Sequence, residues 1–93
     1  MDTMKAVTVD EPGGLNNILI EEVDIPKPSP GEILVKVSYC GCNWADTQMR
    51  EGNYPHKTDY PLVLGMEVAG EVVDVGPNVT HVQLGQQVTA MVE

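Results

Sequence analysis

The chain has 93 residues, 42% hydrophobic and 20% charged, enough for one small domain that buries roughly 60–65% of its unfolded surface. Fourteen acidic residues against five basic ones leave a formal charge of −9, which opposes binding to a phosphate backbone or an anionic bilayer, so neither nucleic acid nor membrane is expected as a partner. No apolar run nears the roughly 20 residues of a membrane span, and Met1-Asp2-Thr3-Met4-Lys5 lacks the basic-then-apolar layout of a signal peptide. A soluble, cytoplasmic protein is expected.

Fourteen Val, four Ile and six Thr against four Ala and six Leu favour strands over helices. Nine Gly and seven Pro punctuate them densely, as in an all-β barrel or sandwich. Phe is absent, so aliphatic side chains must fill the core, and three of the four aromatic residues (Trp44, Tyr54 and Tyr60) fall where a site is to be sought.

In chain order, Met4 to Val9 reads as a half-buried strand closed by the turn residues Asp10-Glu11-Pro12-Gly13-Gly14. Leu19 to Val23 is a second short strand, and the prolines of Pro26-Lys27-Pro28-Ser29-Pro30 force an extended connection. Glu32 to Cys40 is the clearest strand, with Ile33, Val35, Val37 and Tyr39 on the expected core face. One helix is expected near 43–51: Asn43 as its N-cap, Asp46 at the third position against the exposed amides, Gly52 as its stop. Asn53 to Pro61 reads as an irregular loop. A strand then runs from Leu64 to Val75, bent at Gly65 and Gly70, before the turn Gly76-Pro77-Asn78, and Gln87 to Val92 begins a last strand with an unpaired edge.

Cys40 and Cys42 are expected as free thiols, because residues two apart on a strand are poorly placed for an unstrained disulfide. With His56 and His81 they match no common zinc spacing, and no metal site is expected; both histidines read as exposed loop residues.

Three segments carry a resemblance: Gly41-Cys42-Asn43-Trp44-Ala45-Asp46, Arg50-Glu51-Gly52-Asn53-Tyr54-Pro55 and the run from Pro61 to Gly76. With Met4-Lys5-Ala6, Gly31 to Val37 and Leu84-Gly85-Gln86-Gln87-Val88, they make the chain similar to the N-terminal, GroES-like part of medium-chain dehydrogenases/reductases, in the zinc-independent quinone oxidoreductase branch. The resemblance implies a mainly β, partly open GroES-like barrel over residues 1–93, as a catalytic-domain segment. It also implies hydride transfer from NADPH to a quinone or an activated alkene such as an enone. Zinc enzymes of the superfamily carry histidines where this chain has Asn43 and Met66, so a metal centre is not expected; Glu67 is expected to cap amides or to pair with a base, Arg50 being nearest by motif. By the same resemblance Asn43 lies near the nicotinamide and substrate as a catalytic and cofactor-binding residue. Tyr54 offers its hydroxyl to the substrate carbonyl, and Gln48 shares the substrate cleft in place of a tyrosine common there.

No Gly-x-Gly-x-x-Gly turn follows a strand, so the nucleotide-binding Rossmann domain is expected to lie outside this chain. The chain then reads as an inactive fragment of an enzyme expected to be a homo-oligomer when full length. The rival readings are a co-chaperonin-like ring subunit and a non-catalytic relative used in trafficking or as a lens protein. The ring subunit needs a mobile Gly-rich loop, and the cap, tyrosine and proline segments occupy the places for it.

Overall fold

The computed structural model describes residues 2–92, of which two three-stranded sheets and one α-helix form the frame. Strand accounts for 43% of the chain and helix for 12%, so the fold is mainly β, as the β-branched composition requires. The strands are β1 (Thr3–Val9), β2 (Ile18–Asp24), β3 (Ile33–Gly41), β4 (Leu62–Val63), β5 (Glu67–Val75) and β6 (Gln87–Met91); the helix α1 is Trp44–Glu51. One turn of 3-10 helix, Leu15–Asn17, precedes β2. The chain divides into two compact units: one takes the chain up to Ile25 together with Cys42–Gly65, the other Pro26–Gly41 and the chain from Met66 onward.

In the first unit the sheet order is β2-β1-β4, all pairs antiparallel, with Val7 opposite Ile20 and Val9 flanked by Ile18 and Leu62. Val9 is fully buried and Ala6 nearly so. Thr8 is buried on the other face from Val9, contrary to a simple apolar-in alternation along β1. The burial is tolerable because its hydroxyl donates to Glu21 Oε1 on the neighbouring strand. Glu21 also acts on Asp10. Lost hydration first, then a hydrogen bond with Glu21 and repulsion from Glu21 and Glu11, raise the Asp10 pKa above the ordinary carboxylate value.

The folded chain therefore holds a proton on Asp10 to higher pH than the unfolded chain. The associated stability is present below the ordinary carboxylate value and lost as pH rises through the raised one. Asp10→Asn should raise the melting temperature at about pH 7 and leave it nearly unchanged near pH 4, flattening the acid-side slope. An equal shift at both values would refute the linkage.

In the second unit β5 is central, with order β3-β5-β6. Val72 is fully buried, and both of its backbone groups bond to the segment before β6: its N–H donates to the Gln86 carbonyl (2.9 Å) and its carbonyl accepts from Gly85 N–H (2.8 Å). The expected core face of β3 holds only in part. Ile33 and Val35 are half-buried, but so is Leu34, while Val37 is 52% and Tyr39 79% exposed. The register against β5 shifts between Leu34 and Val35 and again between Val37 and Tyr39, and such bulges break the two-residue alternation on which the expectation rested.

The single strand expected from Leu64 to Val75 is also divided. Leu62–Val63 pairs with β1 as β4, Leu64 N–H donates to the Val7 carbonyl (2.9 Å), and Gly65 takes a left-handed φ of 106° before β5 begins. Glycine adopts that conformation without the Cβ clash of other residues, so Gly65 separates two strands and does not merely bend one.

Candidate functional site

The helix carrying the expected site residues starts and stops where its sequence dictates. Asn43 is extended (φ −126°, ψ 156°) and Gly52 is left-handed (φ 82°), donating to the Gln48 and Met49 carbonyls. The Asn43–Asp46 capping box is lopsided. Its firm half is the Asn43 backbone N–H donating to Asp46 Oδ2 at 3.0 Å; the Asn43 carboxamide approaches the Asp46 amide without making a hydrogen bond. Asn43 is the N-cap, as expected; the firm bond of the box is the one that Asp46 accepts, and the Asn43 carboxamide is exposed, with both a donor and an acceptor.

The energetic consequence is a reversal of the usual ranking. Asp46→Ala should cost about 1 kcal/mol, while Asn43→Ala costs only a few tenths. Thermal melts of the two variants check it, and a larger loss for Asn43→Ala would restore the asparagine as the working cap.

The helix ends against its own unit. Gly13 N–H donates to the Arg50 carbonyl (2.9 Å), and Arg50 Nε returns a bond to the Gly13 carbonyl (3.3 Å). The same guanidinium pairs with Glu51 at 2.8 Å, so Arg50 is a brace for the turn after β1 and not the partner expected for Glu67. Glu67 lies opposite Gly41 at the end of the β3–β5 ladder, with its carboxylate over Gly41, where any Cβ would strike it. The Tyr60 hydroxyl donates to the Met49 carbonyl and ties the loop after the helix to its last turn. The sequence signalled the loop but not this anchor.

Within the same unit a hollow of about 150 Å³ is lined by Pro12, Gly52, Tyr54, His56, Thr58 and Tyr60. Tyr54 is half-buried and meets the His56 ring edge-on, centroids 5.4 Å apart at 62°. Its hydroxyl has no hydrogen-bond partner among the described residues, in contrast to that of Tyr60. Asn43 and Gln48 do not line this hollow. Gln48 is half-buried on the helix, its Nε2 donating to Thr47 Oγ1 at 3.2 Å. It stands about 140° around the axis from Asn43. The structure thus gathers Tyr54, His56 and Tyr60 and leaves Asn43, Gln48 and the 73% exposed Trp44 apart from them. A second hollow of about 240 Å³, lined by Asp10, Glu11, Asn16, Asn17 and Leu19, contains none of the residues expected in the site.

Cys40 and Cys42 are free and exposed, as their spacing suggested. Among the described residues, no group of three or more His, Cys, Asp or Glu side chains is placed to hold a metal ion, and no helix is long and apolar enough to cross a membrane.

Residues 29–92 match the alcohol dehydrogenase GroES-like domain, and the chain belongs to that family, within the medium-chain dehydrogenases/reductases. Human synaptic vesicle membrane protein VAT-1 homolog-like protein superposes with a TM-score of 0.93 at 34% identity, over 97% of this chain and 29% of that one. A mycobacterial quinone oxidoreductase gives 0.85 at 36% identity, over 95% of this chain and 27% of that one. A mycobacterial protein complexed with NADPH gives 0.88 at 36%, over 96% and 28%. An alcohol dehydrogenase of Geobacillus stearothermophilus is 38% identical over 85 residues, 91% of this chain and 25% of its own length. The chain thus spans between a quarter and three-tenths of these relatives.

Proposed function

We propose that this chain is the N-terminal, substrate-side segment of an NADPH-dependent, zinc-independent oxidoreductase that passes hydride to a quinone or an activated alkene, its nucleotide-binding domain lying outside these residues. The observation that carries the reading is the unpartnered hydroxyl of Tyr54, half-buried in a hollow of ring-sized dimensions. The likeness to a quinone oxidoreductase and to a protein complexed with NADPH supports the acceptor and the cofactor.

The residues present fit a nicotinamide at one end only. The exposed carboxamide of Asn43 has the donor and acceptor that a nicotinamide carboxamide can use. When bound, NADPH supplies the hydride. The chain's part is to hold the acceptor and to place a donor where negative charge gathers on its oxygen. The Tyr54 hydroxyl is that donor, and Gln48 is assigned a place in the substrate cleft by its position in the motif.

A zinc site fits poorly. Met66 offers a soft thioether, and Asn43 a carboxamide, where the metal enzymes offer imidazole. Elemental analysis of the longer protein, run beside NADPH-consumption assays with quinones and enones, tests the reading. Quinone or enone reduction with zinc far below one per chain is expected; one tight zinc per chain that survives mild chelation, together with alcohol oxidation, would overturn it.

A further inference from the structure

Of the two histidines, His56 alone stands in the wall of a hollow. His81 lines neither of them, whereas His56 shares the smaller one with Tyr54. The centroids of the His56 and Tyr54 rings lie 5.4 Å apart and their planes cross at 62°. That separation is inside the roughly 6 Å over which a cation and an aromatic ring attract each other. Thr58 Oγ1 donates to the His56 carbonyl at 3.4 Å, which ties the loop at the residue that carries the imidazole.

The groups around His56 leave it as the one that changes charge there near neutral pH. The other polar side chains of the wall, those of Tyr54, Thr58 and Tyr60, are phenols and a hydroxyl, which stay uncharged at neutral pH. The flanking charges are matched: Lys57 faces Asp59 at 3.7 Å on the same loop, and Arg50 pairs with Glu51 at 2.8 Å at the end of the helix. Asp10 and Glu11, from the turn that brings Pro12 to the wall, line the other hollow. An imidazole gains or loses its charge between about pH 5 and 8.

We infer that His56 is a positioning residue for Tyr54: its ring holds the phenol edge-on, and its protonated form strengthens the phenol hydroxyl as donor to the acceptor oxygen. The inference rests on the donor role proposed for Tyr54. A positive charge beside a phenol favours movement of negative charge onto the phenol oxygen, so the hydroxyl becomes the better donor. Charge builds on the acceptor oxygen only as hydride arrives, so the gain falls on the reacting complex. His56 itself neither takes nor gives a proton in this role; its effect is electrostatic and passes through Tyr54. Because His56 is exposed, the effect on rate is about two- to fivefold.

The pH dependence of kcat/KM for a quinone, measured on the longer enzyme, tests the inference. Between about pH 8 and about pH 5.5, kcat/KM should rise about two- to fivefold as pH falls. His56→Phe keeps an aromatic ring in the wall and removes the charge, so its rise should be absent; Tyr54→Phe should lack it too, and Asp10→Asn should keep it. NMR gives a reading independent of turnover: the ring-carbon signals of Tyr54 should shift with the ionisation of His56 and stay still in His56→Phe. A flat wild-type profile, a rise that survives in His56→Phe, or Tyr54 signals blind to the His56 ionisation would overturn the inference. Full activity of Tyr54→Phe across several quinones would instead overturn the donor role on which it rests.

Discussion

Gly70→Ala should destabilise the domain by about 3 kcal/mol, at the upper end of the usual cost of overpacking. Gly70 is buried in the central strand β5, opposite Val37 on one side and Val88 on the other. A Cβ there would run into the backbone carbonyl of Lys36 and into Val35 Cγ1. A side-chain tip can rotate away; a carbonyl engaged in a strand cannot, so β3 and β5 must separate locally. In a domain of this size each kcal/mol moves the melting temperature by about 4–8 °C, which puts the expected drop above 10 °C. Gly41→Ala makes the natural comparison, since its Cβ would first meet the Glu67 side chain, whose carboxylate can swing aside. Thermal melts of the two variants decide the point: equal losses would mean that the close approach at Gly70 is not what requires glycine.

Tyr54→Phe in the longer enzyme should lower kcat/KM for quinones about 10-fold or more while NADPH affinity stays nearly constant. A donor aimed at the acceptor oxygen is worth most as charge arrives there, so the loss should fall on the reacting complex and not on cofactor binding. Stability should barely change, because the Tyr54 hydroxyl bonds to no described residue. Tyr60→Phe gives the opposite pattern, because its hydroxyl holds the Met49 carbonyl and its loss loosens the loop. Full activity of Tyr54→Phe across several quinones would reduce Tyr54 to an aromatic wall of the hollow.

Much of this chain was legible from its residues, and for local reasons. The helix from Trp44 to Glu51 appears with both its ends, because a capping pair and a left-handed glycine act within a few residues of themselves. β1, β2, β3 and β6 fall within a residue or two of where the β-branched runs place them, and the free thiols follow from a two-residue spacing. The family, too, could be read from short motifs around Asn43, Tyr54 and Glu67.

What the tertiary structure decided is which neighbours those elements meet. Hydropathy along β3 put Val37 and Tyr39 inside, but register shifts against a strand some thirty residues away turned them out. In the other sheet, pairing with β1 buried a threonine at position 8, supplied Glu21 as its acceptor, and took Leu62–Val63 as a separate strand. At the helix start the sequence named the right pair of residues, and the folded geometry decided that the firm bond of the box runs from Asn43 N–H to Asp46. Periodicity and capping are properties of a few consecutive residues and are written there. Register, and the carbonyl that forbids a side chain at Gly70, belong to pairs of distant segments and exist only once those segments have met.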